Sequence, residues 1–190
     1  MRVDLLSGGA AGQLWPRPGR LFAVSPRHTF HTFAEAIDDA FARWDRSHLH
    51  EFHLPDGRTV TEWRYLDDVE PGGELDADTE TLERLLQPGD ELGYVFDLGE
   101  DWRHQCVIGP DLIDAADEIG TVPPRPLPIW GWGAIPDPYG RLFDHDDGHT
   151  PIPTPPRQPW PCVGAPPPSV VTESVPRQYT RTRNVAQESR

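Results

Sequence analysis

Apolar residues at helical spacing mark one long amphipathic segment in the first third of the chain. Its apolar positions are Phe33, Ala36, Ile37, Ala40, Phe41 and Trp44. Their recurrence every three or four residues predicts a helix over residues 33–44 with one face against a core. Thr32 and Glu35 have the spacing of a capping box, so Thr32 is the predicted N-cap.

Shorter β-type runs surround this helix. Strands are predicted over residues 2–6, 21–24, 48–54, 58–63, 91–97 and 102–108. A turn at Asp56 and Gly57 joins two of them into a first hairpin, and the acidic, Gly-containing residues 97–101 join two others into a central hairpin. Residues 67–78 have the composition of a loop. Short helices are predicted over residues 81–86, with Thr81 as N-cap, and over residues 111–119.

These elements predict an α+β domain. Its sheet would be mixed but mostly antiparallel, with about five strands, and the main helix would pack on one face. Residues 1–150 would form this domain. Residues 151–190 are rich in proline and have no apolar period, so they are predicted to be a disordered tail.

A proline-rich segment with three large aromatic residues precedes the tail. Residues 123–143 contain six prolines, which excludes a central strand because each proline removes a backbone donor. Trp130, Trp132 and Tyr139 would be unfavourable in water, so we expect an ordered, extended segment lying on the domain.

Charge and cysteine usage narrow the range of possible partners and cellular compartments. The net charge is −14, and the first 150 residues carry 12 Arg against 29 acidic residues. Such a body repels phosphate backbones, so nucleic-acid binding by the folded part is not expected. Cys106 lies in a predicted strand and Cys162 in the tail, which argues against a disulfide and favours a reducing cytoplasm.

Other sequence signals are absent. No run approaches the roughly 20 apolar residues of a membrane span, so no membrane association is expected. No phosphate loop, dinucleotide fingerprint or nucleophile elbow occurs, so no cofactor is predicted. No feature of the sequence specifies an oligomeric state.

The central hairpin carries a recognisable motif. Residues 94–104 read YVFDLGEDWRH, with Tyr94, Asp97, Gly99, Trp102 and His104 at the positions of a Tyr-x-x-Asp-Phe-Gly-Asp-x-Trp-x-His pattern. The chain thereby resembles the plasmid pRiA4b ORF-3-like family, and the similarity extends over residues 20–141. The chain departs from the family pattern in having Leu98 in place of Phe and Glu100 in place of Asp.

The resemblance implies association with mobile elements and no particular activity. Some family members have names that imply a transposon resolvase. A serine recombinase would need a nucleophilic serine among arginines on a basic surface, and this chain does not offer that combination.

Two interpretations of the hairpin residues compete. Asp97, Asp101 and His104 are candidate catalytic residues, because a carboxylate that orients an imidazole is a general-base arrangement. Alternatively, Asp97 caps the turn, Gly99 takes a positive φ and Trp102 fills the core. Turn capping by Asp is common, which favours the second interpretation.

Histidines offer a candidate metal site. His48 and His50 would share one face of the predicted strand 48–54, and two imidazoles can begin a site that a carboxylate completes. No third ligand is evident, so a hydrogen-bonded strand face is the alternative. The run DHDDGH at residues 144–149 lacks EF-hand spacing and is interpreted as a charged edge.

Aromatic residues give the candidate ligand-binding set: Trp102, Trp130, Trp132 and Tyr139. They would line a groove for a peptide or a flat ligand, or else Trp102 belongs to the core and the others cover the sheet. Gly131 and Gly133 would permit close backbone approach beside the rings.

These observations predict a non-enzymatic binding or interaction module with an acidic surface and an aromatic groove. Its partner would be a protein or peptide, and the Pro-rich tail would add a docking segment in the polyproline II form. The alternative is a small metal-dependent or acid–base hydrolase that uses Asp97, Asp101 and His104 of the hairpin, with His48 and His50 as further candidates. A third candidate, a DNA-transaction accessory protein, comes from family names alone and is opposed by the charge.

Overall fold

The computed structural model describes residues 1–62 and 74–138. Their strands are β1 (Arg2–Gly8), β2 (Gly12–Gln13), β3 (Gly19–Ala23), β4 (His50–His53), β5 (Thr59–Thr61), β6 (Glu74–Asp76), β7 (Glu91–Phe96), β8 (Trp102–Val107) and β9 (Leu127–Trp132). The α-helices are α1 (Phe30–Ala40), α2 (Leu82–Leu85) and α3 (Ala115–Ile119). The predicted α+β class with a mixed, mostly antiparallel sheet is confirmed.

All nine strands of the described residues belong to one sheet. Its order is β6-β5-β4-β7-β8-β1-β3-β9, with β2 paired to β1. The β5–β6 pair is parallel, and the other pairs are antiparallel. The predicted count of about five strands was too low. Strands of two or three residues such as β2 and β6 are too short to produce a period, and β9 lies within proline-rich sequence.

The hairpin formed by β7 and β8 occupies the centre of this sheet. Its register places Tyr94 opposite His104 and Phe96 opposite Trp102. Because β4 pairs with the outer side of β7 and β1 with the outer side of β8, neither strand of the hairpin is exposed at an edge. The hairpin is therefore enclosed by the sheet on both sides.

Helix α1 begins one turn earlier than predicted. Its N-cap is Thr29 and not the predicted Thr32. The Thr29 hydroxyl accepts a hydrogen bond from the Thr32 amide at 3.2 Å. The backbone amides of Phe30 and His31 donate to carbonyls of Glu80 and Ala77. These long-range bonds satisfy donors at the start of the helix that local sequence cannot pair, and they extend α1 toward the 77–80 turn.

The core lies between α1 and the sheet. Phe30 and Phe33 from the helix contact Phe52 of β4, with ring centroids 5.1 and 5.9 Å apart. Phe52 in turn lies 4.7 Å from the ring of Tyr94 on β7. This aromatic column fixes the helix over the central strands.

The proline-rich segment contributes an edge strand. β9 pairs only with β3 among the described strands, so the prediction that this sequence cannot form a central strand is confirmed. Gly131 lies against the Arg20 side chain and Gly133 against Pro18, so a Cβ at either glycine would clash. Residues 139–190, which include Tyr139, the run 144–149 and the predicted tail, lie outside the described residues, and the boundary at residue 150 stays a prediction.

Candidate functional site

The turn of the central hairpin is built by Asp97. One carboxylate oxygen, Oδ1, accepts from the amides of Gly99 at 3.0 Å and Glu100 at 3.2 Å. Positive φ angles fall on Asp97 (56°) and Asp101 (57°), so the prediction of a positive φ at Gly99 was wrong. Aspartate tolerates this region because its short side chain bonds nearby backbone. A Cβ at Gly99 would lie 3.3 Å from Asp97 Oδ1, so glycine here gives the carboxylate room.

His104 lies in the core between α1 and the sheet. Its side chain packs edge-on against Phe41, with ring centroids 4.8 Å apart, and lies 5.4 Å from Tyr94. The residue is only 2% exposed. Burial, reinforced by the positive charge of Arg43, lowers the pKa of His104 well below its ordinary value. The imidazole is therefore neutral at physiological pH.

A buried carboxylate on α1 contacts the same hairpin. The Tyr94 hydroxyl donates to Asp38 Oδ1 at 2.7 Å, and Arg46 Nη1 lies 2.8 Å from Asp38 Oδ2. Burial raises the pKa of Asp38 to about 7, against the opposing influence of Arg46 and the Tyr94 hydrogen bond. The motif tyrosine thus joins the central strand to the helix.

Trp102 is sandwiched in the core. The Arg43 guanidinium lies 3.9 Å from the centre of its ring system, and Gly8 of β1 packs so closely on the indole that a Cβ there would overlap it. Arg43 Nη1 also donates to the Pro136 carbonyl at 3.3 Å, and burial lowers the pKa of Arg43 to about 10. With 1% exposure, Trp102 matches the core interpretation, and its prediction as a groove residue is corrected.

The three candidate catalytic residues contact different partners. Asp97 holds the turn, His104 fills the core, and Asp101 forms an exposed ion pair with Arg103 at 2.8 Å. We name the buried set Asp38, Arg43, Tyr94, Trp102 and His104 the polar core network. These geometries favour a structural role for the motif over a catalytic one.

The two candidate metal-binding histidines belong to separate groups. His48 lies between two carboxylates, 3.4 Å from Asp45 and 3.3 Å from Asp97. His50 Nδ1 instead lies 3.6 Å from Glu62 Oε1, and its ring is 6.4 Å from that of His31.

His31, His50 and Glu62, named here the His–Glu cluster, each bring one potential ligand atom within 4.8 Å of the others. Sequence reasoning included His50 but missed its two companions. The position of Glu62 could have been predicted from the first hairpin. In the register of β4 and β5, Glu51 lies opposite Thr61, and one further step places His50 opposite Glu62. The position of His31 could not have been predicted from the sequence, because it reaches the cluster through the packing of α1 on the sheet.

Two tryptophans lie on β9, and a third, Trp15, lies in the loop that precedes β3. Trp130 and Trp132 are half-buried, with ring centroids 5.2 Å apart. Trp132 Nε1 donates to the Arg17 carbonyl at 2.9 Å, and the Arg2 guanidinium lies 5.2 Å from its ring centre. Trp15, which sequence reasoning did not select, is 86% exposed. We name Trp15, Trp130 and Trp132 the aromatic edge.

Comparison with known proteins identifies the family. The model of the plasmid pRiA4b ORF-3-like protein family matches residues 14–123, more than half of the chain. The chain belongs to the plasmid pRiA4b ORF-3-like family. No curated protein matches it.

A solved structure supports the fold. The crystal structure of the protein of unknown function MM3350 from Methanosarcina mazei Go1 is similar to this chain, with a TM-score of 0.51 and 19% sequence identity. The similarity covers 70% of this chain. The match spans 66% of that chain, and at this identity it bears on the fold alone. Among the described residues, no helix has both the length and the apolar character needed to span a membrane.

Proposed function

We propose that the protein is a non-enzymatic binding module for a cationic segment of a protein or peptide partner. The observation that carries the proposal is the aromatic edge: an 86% exposed Trp15 and the half-buried pair Trp130 and Trp132 in a chain of net charge −14. Exposed tryptophan is uncommon on a protein surface without a partner and is enriched where binding energy is concentrated.

The chemistry of the partner follows from the rings and the charge. Arg2 already lies over Trp132, so this indole accepts a guanidinium within the fold. Because Arg2 already lies over Trp132, Arg or Lys side chains of a partner would meet the exposed Trp15, and the acidic body would favour their approach. Such binding should weaken as the salt concentration rises, since at 0.1 M ionic strength the attraction between exposed charges is largely screened beyond about 10 Å.

Other functions have less support. Asp97, Asp101 and His104, the residues proposed for a hydrolase at the hairpin, contact separate partners, whereas catalysis needs them within reach of one another. Asp97 does contact the His48 imidazole at 3.3 Å, and this pair is the remaining support for the alternative. A DNA-transaction role conflicts with the negative charge of the chain. The Pro-rich segment 151–190 as an additional docking element stays a prediction outside the described residues.

Selection from a library of short random peptides on the full chain tests the proposal. We expect enrichment of peptides rich in Arg or Lys, because the aromatic edge and the acidic surface both favour cations. Synthetic copies of the selected peptides should bind about tenfold more weakly to Trp15→Ala and Trp130→Ala, the loss expected for a residue central to an interface.

Leu112→Ala is the matched control, because Leu112 is an exposed apolar residue (76%) on the β8–β9 connection. This variant should retain the affinity of the unaltered chain. Selection without cationic enrichment, or equal affinity in both tryptophan variants, would reject the proposal. A single-stranded oligonucleotide serves as the second probe and should not bind.

A further inference from the structure

We propose that the His–Glu cluster is a binding site for a divalent first-row transition metal, with zinc as the reference ion. His31, His50 and Glu62 come from three different elements, yet one ligand atom of each lies within 4.8 Å of the others. This inference is independent of the aromatic edge and adds a second site to the molecule.

The sheet fixes two of the three groups. His50 opens β4 and Glu62 directly follows β5, so the antiparallel register places them opposite each other. Directly opposed residues in such a pair have Cβ atoms about 4.5–5.5 Å apart. The Thr61 hydroxyl donates to the His50 carbonyl at 2.9 Å, which ties the two strands together beside the cluster.

The third group comes from the first turn of α1. The His31 amide donates to the Ala77 carbonyl at 2.9 Å, which anchors this turn next to β6. The His31 side chain is 33% exposed, whereas His50 and Glu62 are nearly buried. The site therefore has two buried ligands and one partly exposed ligand, beside which an ion can enter.

The separations suit a small cation. Zinc ligands bind at about 2.0–2.2 Å, so two ligands on a tetrahedral ion lie about 3.4 Å apart. His50 Nδ1 and Glu62 Oε1 are 3.6 Å apart before any adjustment. All ligand atoms lie within 4.8 Å of one another. Rotation of the His31 side chain would therefore bring its ring nitrogen to the ligand–ligand distance that zinc requires.

The donor set selects the class of metal. Two imidazoles and one carboxylate are ligands of zinc, iron and their neighbours, while magnesium and calcium prefer oxygen ligands throughout. Three protein ligands leave at least one coordination position for water or a small ligand, as in metal sites that bind or convert substrates.

Acidic neighbours complete the site electrostatically. Asp78 Oδ1 lies 3.6 Å from His31 Nδ1, and Glu35 Oε1 lies 3.9 Å from His31 Nε2. A metal-bound imidazole usually donates its other ring N–H to a carboxylate, and His31 has one such acceptor beside each nitrogen.

Titration of the full-length, untagged chain with zinc in a calorimeter tests the site. We expect one equivalent to bind, and magnesium and calcium to give no signal. Cobalt should bind in the same place and give visible absorption bands whose intensity reports its coordination geometry. Glu62→Gln, which keeps the shape of the side chain, and His31→Gln should each loosen binding at least about tenfold.

His53→Gln is the matched control. His53 lies on the same strand as His50 and pairs with Glu51 at 3.0 Å, but it forms no part of the cluster. Its variant should bind zinc like the unaltered chain. Absence of stoichiometric binding, or unchanged affinity in Glu62→Gln and His31→Gln, would overturn the proposal. Binding lost instead in a double variant of His145 and His149 to Gln would place the ion on the 144–149 run and overturn it equally.

Discussion

Two polar groups lie where residues of α1 meet the central strands, and they differ in what they bring together. Within the polar core network, the Tyr94 hydroxyl donates to the Asp38 carboxylate, and the Arg43 guanidinium faces the Trp102 ring. Arg46, which lies outside the network, also contacts Asp38. The His–Glu cluster instead gathers two imidazoles and a carboxylate, each of which offers a lone pair.

The difference separates chemistry used for folding from chemistry available for binding. A donor matched to an acceptor stabilises the fold and has little left to offer a ligand. Three lone-pair donors converging on one point gain most from a shared cation. The family motif supplies Tyr94, Trp102 and His104 of the first group and no residue of the second.

The largest expected effect comes from removing the motif tryptophan. Trp102→Ala should lower the free energy of unfolding by about 3–5 kcal/mol, because it opens a cavity beneath the buried Arg43 guanidinium. Urea unfolding measures the change. Trp15→Ala, at an 86% exposed position, should stay within about 0.5 kcal/mol. Equal losses in the two variants would contradict the assignment of Trp102 to the core.

A smaller loss is expected from the motif tyrosine. Tyr94→Phe deletes the hydroxyl that donates to Asp38 and leaves a buried carboxylate short of one partner. The free energy of unfolding should fall by about 1–3 kcal/mol. Arg103→Ala breaks only the exposed pair with Asp101 and should change it by less than about 1 kcal/mol. A larger loss of unfolding free energy in Arg103→Ala than in Tyr94→Phe would contradict the expectation that the buried hydrogen bond contributes more than the exposed ion pair.

His104 should give a graded dependence on pH. Because its pKa in the folded chain is well below 6.5, the unfolded chain takes up a proton first as pH falls through 6.5. Stability is therefore present above this pH and lost below it, with a slope of up to about 1.4 kcal/mol per pH unit.

The His104 contribution is isolated by comparing urea unfolding of the unaltered chain and His104→Asn at several pH values. The raised pKa of Asp38 acts in the opposite direction, since its proton favours the folded chain as pH falls, and it is common to both proteins. A slope between pH 5 and 6.5 that is identical in the two proteins would show that His104 is not buried neutral.

Local patterns predicted the central elements well. The hairpin predicted over residues 91–97 and 102–108 agrees within one residue with β7 (Glu91–Phe96) and β8 (Trp102–Val107), because its apolar runs flank a strong turn signal. The start of α1 was missed because Thr29 and Thr32 have the same cap chemistry. Only the backbone bonds from Phe30 and His31 to the 77–80 turn distinguish them.

The candidate sites depended more on tertiary packing. His31 preceded the predicted helix, so nothing local placed it near His50, and the pairing of His48 with His50 assumed a strand longer than β4 (His50–His53). His48 lies before the strand and contacts Asp45 and Asp97 instead. The exposure of Trp15 likewise follows from the loop conformation rather than from any period in the sequence.

The zinc-induced gain in the free energy of unfolding of the full chain tests most directly whether motif and cluster have separate roles. A ligand that binds only the folded state at 100 times its Kd stabilises by about 2.7 kcal/mol. Tyr94→Phe should be less stable than the unaltered chain yet retain the whole gain, whereas Glu62→Gln should lose it. A gain that disappears in Tyr94→Phe, or that persists in Glu62→Gln, would contradict the account.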